Sequence, residues 1–384
     1  MKKNIFLPVI VLALLGFSAC TPDPDPVSTG SENELYLEKV VPNYVENTVV
    51  TIYKLLADES IDLYEALVSL KAEKSAANLQ KAAEEWIVAR KYWEQSEAFL
   101  FGAAADFGID PHIDTWPLDK NALIAELSNA EHIAAMAGED GPAWAGEKLG
   151  PGLLGFHGIE YILFEQGQVK SNVSSISDNE LIYAVAVAGD LRNQCIRLEA
   201  AWAGIDNVSE EKQQIIEEFD LVITIGGRQN YGDNMKSAGK VGSTYKTITD
   251  AAEDIIQGCI DIADEVATMK IGKPNSGDDI HYIESPYSYN STKDFVDNIE
   301  SIRFAYLGGV ETRNESMHAF FEKVNKNLDA EILAAIDNAV VAINAIRNFE
   351  TNPSSAEATA AIEVVNELTG ILEGAVTELR KAVQ

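Results

Sequence analysis

Apolar side chains recur at intervals of three and four residues along almost the entire chain, and this spacing restricts the fold to packed helices. The period is clearest in nine stretches, namely residues 35–56, 61–70, 79–100, 181–202, 215–225, 248–269, 295–306, 332–346 and 356–383. Alternating runs of β-branched residues long enough to build a sheet do not occur in the sequence. We therefore predict an all-α protein.

The longest polar, turn-rich stretch beyond residue 32 lies at residues 271–292. We place the junction between two helical bundles near it, since a chain of 384 residues is long enough for two hydrophobic cores. Residues 33–235 are assigned to an amino-terminal bundle and residues 236–384 to a smaller carboxy-terminal bundle. The helix that ends near Met269 is expected to contribute to both.

The first 19 residues have the pattern of an export signal. Two lysines precede an apolar run that is too short to be a stable membrane span, and small residues precede Cys20. The four residues ending at Cys20 resemble a bacterial lipobox, with Phe17 where leucine is commoner. We predict cleavage before Cys20, lipidation of that cysteine and a flexible tether over residues 20–32. This would anchor the protein in the bacterial cell envelope, on the periplasmic or surface face of the outer membrane. The alternative is ordinary signal cleavage next to an incidental cysteine.

The chain is strongly acidic, with 61 acidic and 29 basic residues and a formal net charge of −32. Nucleic-acid phosphates require a basic surface, so this balance argues against a nucleic-acid-binding protein. Cationic ligands, metal ions and basic partners are compatible with it. The alternative is that the charge mainly solvates the surfaces of the helices.

Residues 153–164 form a run that is apolar apart from His157 and Glu160. At about 100° per residue, side chains three apart share one helix face, and a helix that is apolar all round is normally buried. A buried carboxylate needs a partner. Gly155 and Gly158 project away from that face and would allow another backbone to pack closely. The sequence predicts a rigid, buried His/Glu pair, and the alternative is a core histidine satisfied by its neighbouring glutamate.

Two further segments carry side chains suited to a binding site. Glu97 lies four residues after Trp93 on a predicted helix, so the two share a face. Asp114 and Trp116 lie in an irregular stretch just before Pro117, which biases Trp116 towards an extended backbone. Each segment has a structural alternative, because Glu97 could be an exposed glutamate beside a core tryptophan and Asp114 could close an Asx turn.

Four segments in this order resemble the imelysin-like family of bacterial envelope proteins, first described as insulin-cleaving and iron-regulated. They are Ser96-Glu97 at an aromatic-rich helix end, Trp116-Pro-Leu-Asp119, Gly155-x-His157-x-x-Glu160, and residues 284–308, which are similar to the family's Ser-x-Asn-Thr loop and Tyr-x-Gly helix. The chain departs from the family at Lys120, where an acidic residue is frequent, and at Tyr289 and Thr292, where Asp and His are frequent. Each departure removes a potential metal ligand, which weakens the case for peptidase chemistry.

The resemblance implies two four-helix-type bundles packed side by side, with a ligand cleft at their junction. It implies that this cleft collects side chains from both bundles: Glu97, Asp114, Trp116, His157, Glu160, Ser288 and Asn290. Arg303 could add a fixed positive charge there. Its alternative role is to offset the dipole at the end of its helix.

Two functions follow from the resemblance. The first is a non-catalytic lipoprotein that binds a small ligand or a metal ion, Fe or Zn, through His157 and Glu160 on behalf of an envelope iron-uptake system. The second is a zinc metallopeptidase in which Glu160 activates a water molecule. A zinc peptidase normally offers three protein ligands, and the sequence lacks an obvious third. An adhesin or scaffold is a further alternative.

Overall fold

The computed structural model describes residues 30–384. The predicted signal peptide, the predicted lipidation at Cys20 and the tether up to residue 29 lie outside the described residues. Within them, regular structure is almost entirely helical, so the prediction of an all-α fold is confirmed. None of the helices in residues 30–384 is long and apolar enough to cross a membrane.

The described residues form eighteen α-helices, which we number in chain order. These are α1 Glu32–Tyr44, α2 Val50–Ala72, α3 Ala76–Glu94, α4 Ala103–Asp106, α5 Ile109–Ile113, α6 Lys120–Leu127, α7 Ala130–Met136, α8 Gly141–Lys148, α9 Gly155–Leu163, α10 Asp178–Ala203, α11 Glu210–Glu218, α12 Tyr231–Lys236, α13 Ile248–Glu265, α14 Gly272–Ser276, α15 Ser291–Leu307, α16 Met317–Val324, α17 Lys326–Ala345 and α18 Ala356–Val383.

Shorter elements connect or extend these helices. Four 3₁₀ turns lie at Glu97–Phe99, Pro151–Leu153, Val173–Ser175 and Ile205–Asn207, and two π-helical turns lie at Val45–Val49 and Val266–Lys270. Two strands, β1 Phe164–Glu165 and β2 Gln168–Val169, pair antiparallel directly after α9. The helical pattern of the sequence did not predict this small hairpin.

Several helix starts are fixed by local side-chain caps that can be read from the sequence. Ser31, Ser177 and Thr247 accept a hydrogen bond from the third residue of their helices, and an acidic residue there bonds back to the cap backbone. Asp119 caps α6, because its side chain accepts a hydrogen bond from the backbone N–H of Ala122 at 2.9 Å.

The helices pack as two bundles that share an extensive interface. In the first bundle α2 packs against α3 and α10, with α8 and α9 laid on α10. In the second bundle α13, α15, α17 and α18 pack on one another. The bundles meet where α15 contacts α3 and where α13 contacts the Glu97–Phe99 turn. This interface places the carboxyl end of α3 and the turn that follows it between the two bundles.

One long rod belongs to both bundles. α1 continues through the π-helical turn Val45–Val49 into α2, with the backbone N–H of Val50 donating to the carbonyl of Val45. α1 packs on α13 of the second bundle, whereas α2 packs on α3 and α10 of the first. The sequence showed separate helical patterns over residues 35–56 and 61–70, and the structure joins both in this one rod.

The predicted helix at residues 215–225 is shorter than expected. α11 ends at Glu218, because the backbone turns at Asp220, whose φ is 48°. Beyond the turn, Ile225 forms an isolated bridge with Gln229. The apolar residues after Glu218 therefore cover the bundle from an irregular segment.

Candidate functional site

Two glycines set the position of α9. Gly155 has a φ of 68°, and a Cβ there would lie 1.7 Å from the carbonyl oxygen of Ile113. A Cβ on Gly158 would lie 2.2 Å from the hydroxyl of Tyr183. At Gly155, α9 therefore lies directly against the backbone of the segment that carries Asp114, as predicted, whereas Gly158 makes room for the side chain of Tyr183.

His157 lies between two carboxylates in the protein interior, with only 1% of its surface exposed. Its Nε2 lies 3.1 Å from Asp114 Oδ1, an ion-pair distance whose angle falls outside hydrogen-bond geometry, and its Nδ1 lies 3.5 Å from Glu160 Oε2. Burial alone would lower the pKa of His157, but the contacts with Asp114 and Glu160 outweigh it and raise the pKa to about 9. The imidazole is therefore protonated at neutral pH and has no lone pair for a metal ion.

Glu160 links α9 to a distant loop. Its Oε1 accepts hydrogen bonds from the backbone N–H of Tyr287 at 3.0 Å, the backbone N–H of Ser288 at 2.8 Å and the hydroxyl of Ser288 at 2.7 Å. The structure thus brings His157, Glu160 and Ser288 together, as the resemblance implied.

Arg90 on α3 is the centre of the charged interior, and its side chain is fully buried. It pairs with Asp114, with Glu94 Oε1 at 2.6 Å and with Glu284 Oε1 at 2.9 Å. Burial would raise the pKa of Asp114, but Arg90 and His157 hold it well below its usual range. The indole N–H of Trp93 also donates to Asp114, at 2.7 Å.

Lys270 is a second fully buried cation, at the end of the π-helical turn that extends α13. Its Nζ lies 2.7 Å from Glu284 Oε1, 3.2 Å from Glu94 Oε2 and 3.7 Å from Glu97 Oε1. It also lies 5.4 Å from the ring centroid of Trp116. Cation–π attraction to this ring adds to the ion pairs.

Carboxyl groups outnumber cations in this interior. We use the name buried charge cluster for nine residues, the cations Arg90, His157 and Lys270 and the acidic residues Glu94, Glu97, Asp114, Glu160, Glu284 and Asp294. Three cations thus face six carboxyl groups. Burial raises the pKa of Glu284 to about 7 and raises the pKa of Glu97 and of Asp294 well above the usual range. The cluster therefore favours the uptake of protons or of a further cation.

Polar atoms without a hydrogen-bond partner concentrate in and around the cluster. In residues 30–384, eight buried side-chain polar atoms have no such partner among the protein atoms, and six of them belong to this region. They are Arg90 Nε, Glu94 Oε1, Trp116 Nε1, His157 Nε2, Glu284 Oε2 and Asn298 Oδ1. Two of the six nevertheless have an ion-pair partner, since Glu94 Oε1 lies 2.6 Å from Arg90 and His157 Nε2 lies 3.1 Å from Asp114. Buried polar groups are normally hydrogen-bonded, so such a concentration is typical of a site that binds something.

An acidic cavity borders the cluster at Glu97. It has a volume of about 200 Å³, and its polar lining is Glu97, Asp110, Asp261 and Glu265. Burial and the nearby Asp114 raise the pKa of Asp110 to about 7. A second cavity of about 490 Å³ shares Asp261 and Glu265 with the first and adds further acidic residues. No lysine or arginine lines either cavity.

The remaining predicted residues divide into two groups. Trp116 lies beside Lys270 with its ring centroid 6.3 Å from that of His157, and Asn290 donates to Asp294 at 2.6 Å. Arg303 is not brought to the cluster. Its guanidinium, about a quarter exposed, pairs with Glu300 and Asp337 on the outside of the second bundle.

Sequence reasoning missed five members of the cluster, namely Arg90, Glu94, Lys270, Glu284 and Asp294. Arg90 and Glu94 lie four apart on the helix face that also carries Trp86 and Trp93, and this apolar context was a usable sign of burial. Lys270 and Glu284 flank a turn-rich stretch, where charged residues are usually exposed, and they carried no such sign.

Comparison with known proteins agrees with the fold. The family model described as Imelysin matches residues 49–373. Iron-regulated protein A of Synechococcus elongatus is 30% identical over 292 residues, which cover 76% of this chain and 68% of that protein. A crystal structure described as an iron-regulated protein A precursor from Parabacteroides distasonis is 27% identical, with a TM-score of 0.77 over 92% of this chain and 97% of that one.

A more distant likeness supports the fold alone. The crystal structure of an imelysin-like protein from Psychrobacter arcticum has a TM-score of 0.60 at 13% identity, and the match covers 93% of this chain and 96% of that one. Taken with the match of the family model over most of the sequence, these similarities assign the protein. The chain belongs to the imelysin family.

Proposed function

We propose that the protein binds a metal cation in the buried charge cluster between its two bundles, in an iron-related role and without catalysis. The observation that carries this proposal is the excess of buried carboxyl groups over cations, together with Glu284 Oε2, a buried carboxylate oxygen that lacks a hydrogen-bond donor. A cation would balance the charge and would give this oxygen a partner.

Three carboxylates are the best candidate ligands. Glu94, Glu97 and Asp114 each offer an oxygen, and the three oxygens lie within 4.8 Å of one another. Three hard oxygen donors suit iron and other first-row divalent ions. That His157 and Glu160 are the metal ligands stays a prediction, and their other partners weigh against it. The imidazole is protonated, and Glu160 Oε1 already accepts three hydrogen bonds.

Capture without catalysis has two supports. A hydrolytic metal site needs an open position for water and room for the substrate, whereas a cavity of about 200 Å³ is too small for a polypeptide segment. Glu160, the general base in the peptidase alternative, is held by Tyr287 and Ser288. The iron-related role draws on the relative named iron-regulated protein A. We extend the proposal to a lipid-anchored envelope protein that supplies an iron-uptake system.

Metal binding by the purified protein tests the proposal. We expect one Fe²⁺ or Zn²⁺ per chain by elemental analysis and isothermal titration. Glu97→Gln should weaken binding about tenfold or more, because it removes a ligand charge. Asp337→Asn is the matched control, since Asp337 pairs with Arg303 outside the cluster. Equal binding by Glu97→Gln and the unmodified protein would contradict the ligand set. Metal-dependent cleavage of a denatured protein would instead favour the peptidase alternative.

A further inference from the structure

We infer that the ammonium group of Lys270 is a tethered counter-ion that holds the cation position of the cluster, and that a captured metal ion must take its place. The inference rests on the proposed function and deepens it, because it names the residue that sets both the affinity and the charge selectivity of the site. Lys270 would then be an internal competitor of the ligand.

Position is the first argument. Lys270 Nζ lies 3.2 Å from Glu94 Oε2 and 3.7 Å from Glu97 Oε1, which belong to two of the three candidate ligands. The ligand oxygens of Glu94, Glu97 and Asp114 lie within 4.8 Å of one another, so a metal ion among them would lie within a few ångströms of Nζ. Two cations at that separation in a buried site repel each other strongly. The metal ion and the ammonium group therefore compete for the same carboxylates.

Free acceptor capacity is the second and independent argument. Glu284 contacts Lys270 through Oε1, yet its Oε2 accepts no hydrogen bond and is fully buried. Lys270 thus leaves one oxygen of this carboxylate without a donor. A metal ion with several coordination positions could use oxygens that a single ammonium group does not reach.

Lys270 also has a place to move to, whereas Arg90 does not. Glu265, five residues earlier, lines the acidic cavity and has no ion-pair partner in residues 30–384. A flexible lysine side chain could turn towards this cavity and remain near a carboxylate. The guanidinium of Arg90 is held by Asp114, Glu94 and Glu284 at once, so it would stay in the site. The exchange therefore concerns Lys270 alone.

Charge selectivity follows from this exchange. Replacing the ammonium group by a monovalent ion would leave the net charge of the cluster unchanged, so the electrostatic gain from binding sodium or potassium would be small. A divalent or trivalent ion would reduce the excess of carboxylates over cations, in addition to filling the free acceptors. The cluster should therefore reject monovalent ions and accept multiply charged ones.

Two substitutions at Lys270 test the inference, with Zn²⁺ and Fe²⁺ as probes. Lys270→Met removes the charge and keeps the length of the side chain, whereas Lys270→Arg keeps the charge. We expect the metal affinity of Lys270→Met to be at least about tenfold higher than that of the unmodified protein, because a nearby like charge has been removed. Lys270→Arg should bind no more tightly than the unmodified protein. Without metal, Lys270→Met should melt at a lower temperature, and metal should restore its stability.

The outcomes separate this inference from the proposed function. If the unmodified protein binds metal and Lys270→Met binds it no more tightly, Lys270 is a structural residue and the exchange is wrong. If neither protein binds metal, the proposed function itself fails, and the inference fails with it. If Lys270→Met does not fold alone, refolding with Zn²⁺ supports the exchange. If Lys270→Met and Lys270→Gln both fail to fold in the presence of Zn²⁺, the exchange is wrong.

Discussion

Ser288 donates two hydrogen bonds to Glu160, one from its backbone at 2.8 Å and one from its hydroxyl at 2.7 Å, across a separation of 128 residues. The backbone N–H of Tyr287 adds a third, and the carbonyl of Tyr287 accepts from Gly167 at 2.8 Å. The loop before α15 is therefore attached both to α9 and to the small hairpin that follows it. One buried carboxylate thus holds this loop over the histidine.

Removing this carboxylate should destabilise the protein far more than removing the serine hydroxyl. We expect Glu160→Ala to lower the free energy of unfolding by about 3 kcal/mol, because it leaves two backbone N–H groups and Nδ1 of His157 without a partner. Ser288→Ala should cost about 1 kcal/mol, since both backbone hydrogen bonds remain. Urea denaturation measures both, and Glu165→Ala, an exposed glutamate on the hairpin, is the control. Equal losses for Glu160→Ala and Ser288→Ala would show that the carboxylate does not organise the loop.

Gly155 should not tolerate any side chain. Alanine there would adopt an unfavourable φ, and its Cβ would overlap the carbonyl of Ile113. We expect a loss of about 3 kcal/mol or more in the free energy of unfolding. Gly150→Ala is the matched control, because Gly150 has a φ of −73° and open space around its Cα. Thermal unfolding followed by circular dichroism compares the two, and a stable Gly155→Ala protein would contradict the close approach of α9.

Stability should fall steadily as the pH rises from about 5 to 9. The pKa of His157 is raised from 6.5 to about 9, so its contribution is complete below pH 6.5 and is lost as the pH approaches 9. The pKa values of Asp110 and Glu284 are raised to about 7, so the folded protein retains protons that the unfolded chain releases near pH 4. Both effects lower the free energy of unfolding as the pH rises. The lowered pKa of Asp114 opposes them only in stronger acid.

Urea denaturation at several pH values measures this slope. His157→Gln should flatten the profile most between pH 7 and 9, where the folded protein loses the proton of the imidazole. His281→Gln, in an exposed loop, should leave the profile unchanged. A profile for His157→Gln that matches the unmodified protein above pH 7 would mean that this histidine is not held in its protonated form.

Arg90 should be the residue whose loss the cluster tolerates least. Arg90→Met keeps much of the side-chain volume but leaves Asp114, Glu94 and Glu284 short of a cation. We expect the free energy of unfolding to fall by about 3–5 kcal/mol at pH 8, and by less at pH 5, where the carboxyl groups bind protons more readily. Arg303→Met, on a partly exposed ion pair, should cost about 1 kcal/mol or less. A loss for Arg90→Met that is independent of pH would point to packing alone.

The sequence predicted the helices of this protein better than it predicted the buried charge cluster that they form together. Periodicity was sufficient for the long helices because each buries one continuous apolar face, and glycine spacing was sufficient for the close packing of α9. The cluster itself depends on which charged side chains of α3, α13 and the loop before α15 meet in three dimensions. Helical period places Arg90 and Glu94 on one face, but nothing local brings Lys270 to them, since residues 94 and 270 are 176 positions apart. Arg303 illustrates the opposite case, because a conspicuous helix-end arginine faces outward.

The long rod formed by α1 and α2 has a consequence for how this protein can be shortened. The family match begins at residue 49, inside that rod and after all of α1. Leu37, Val40 and Tyr44 of α1 are buried, and α1 covers part of α13. A fragment trimmed to the matched boundaries would therefore lack α1, and the apolar side chains of α13 that α1 covers would be exposed to solvent. The folded core therefore includes α1, which lies upstream of the residue at which the family model begins to match.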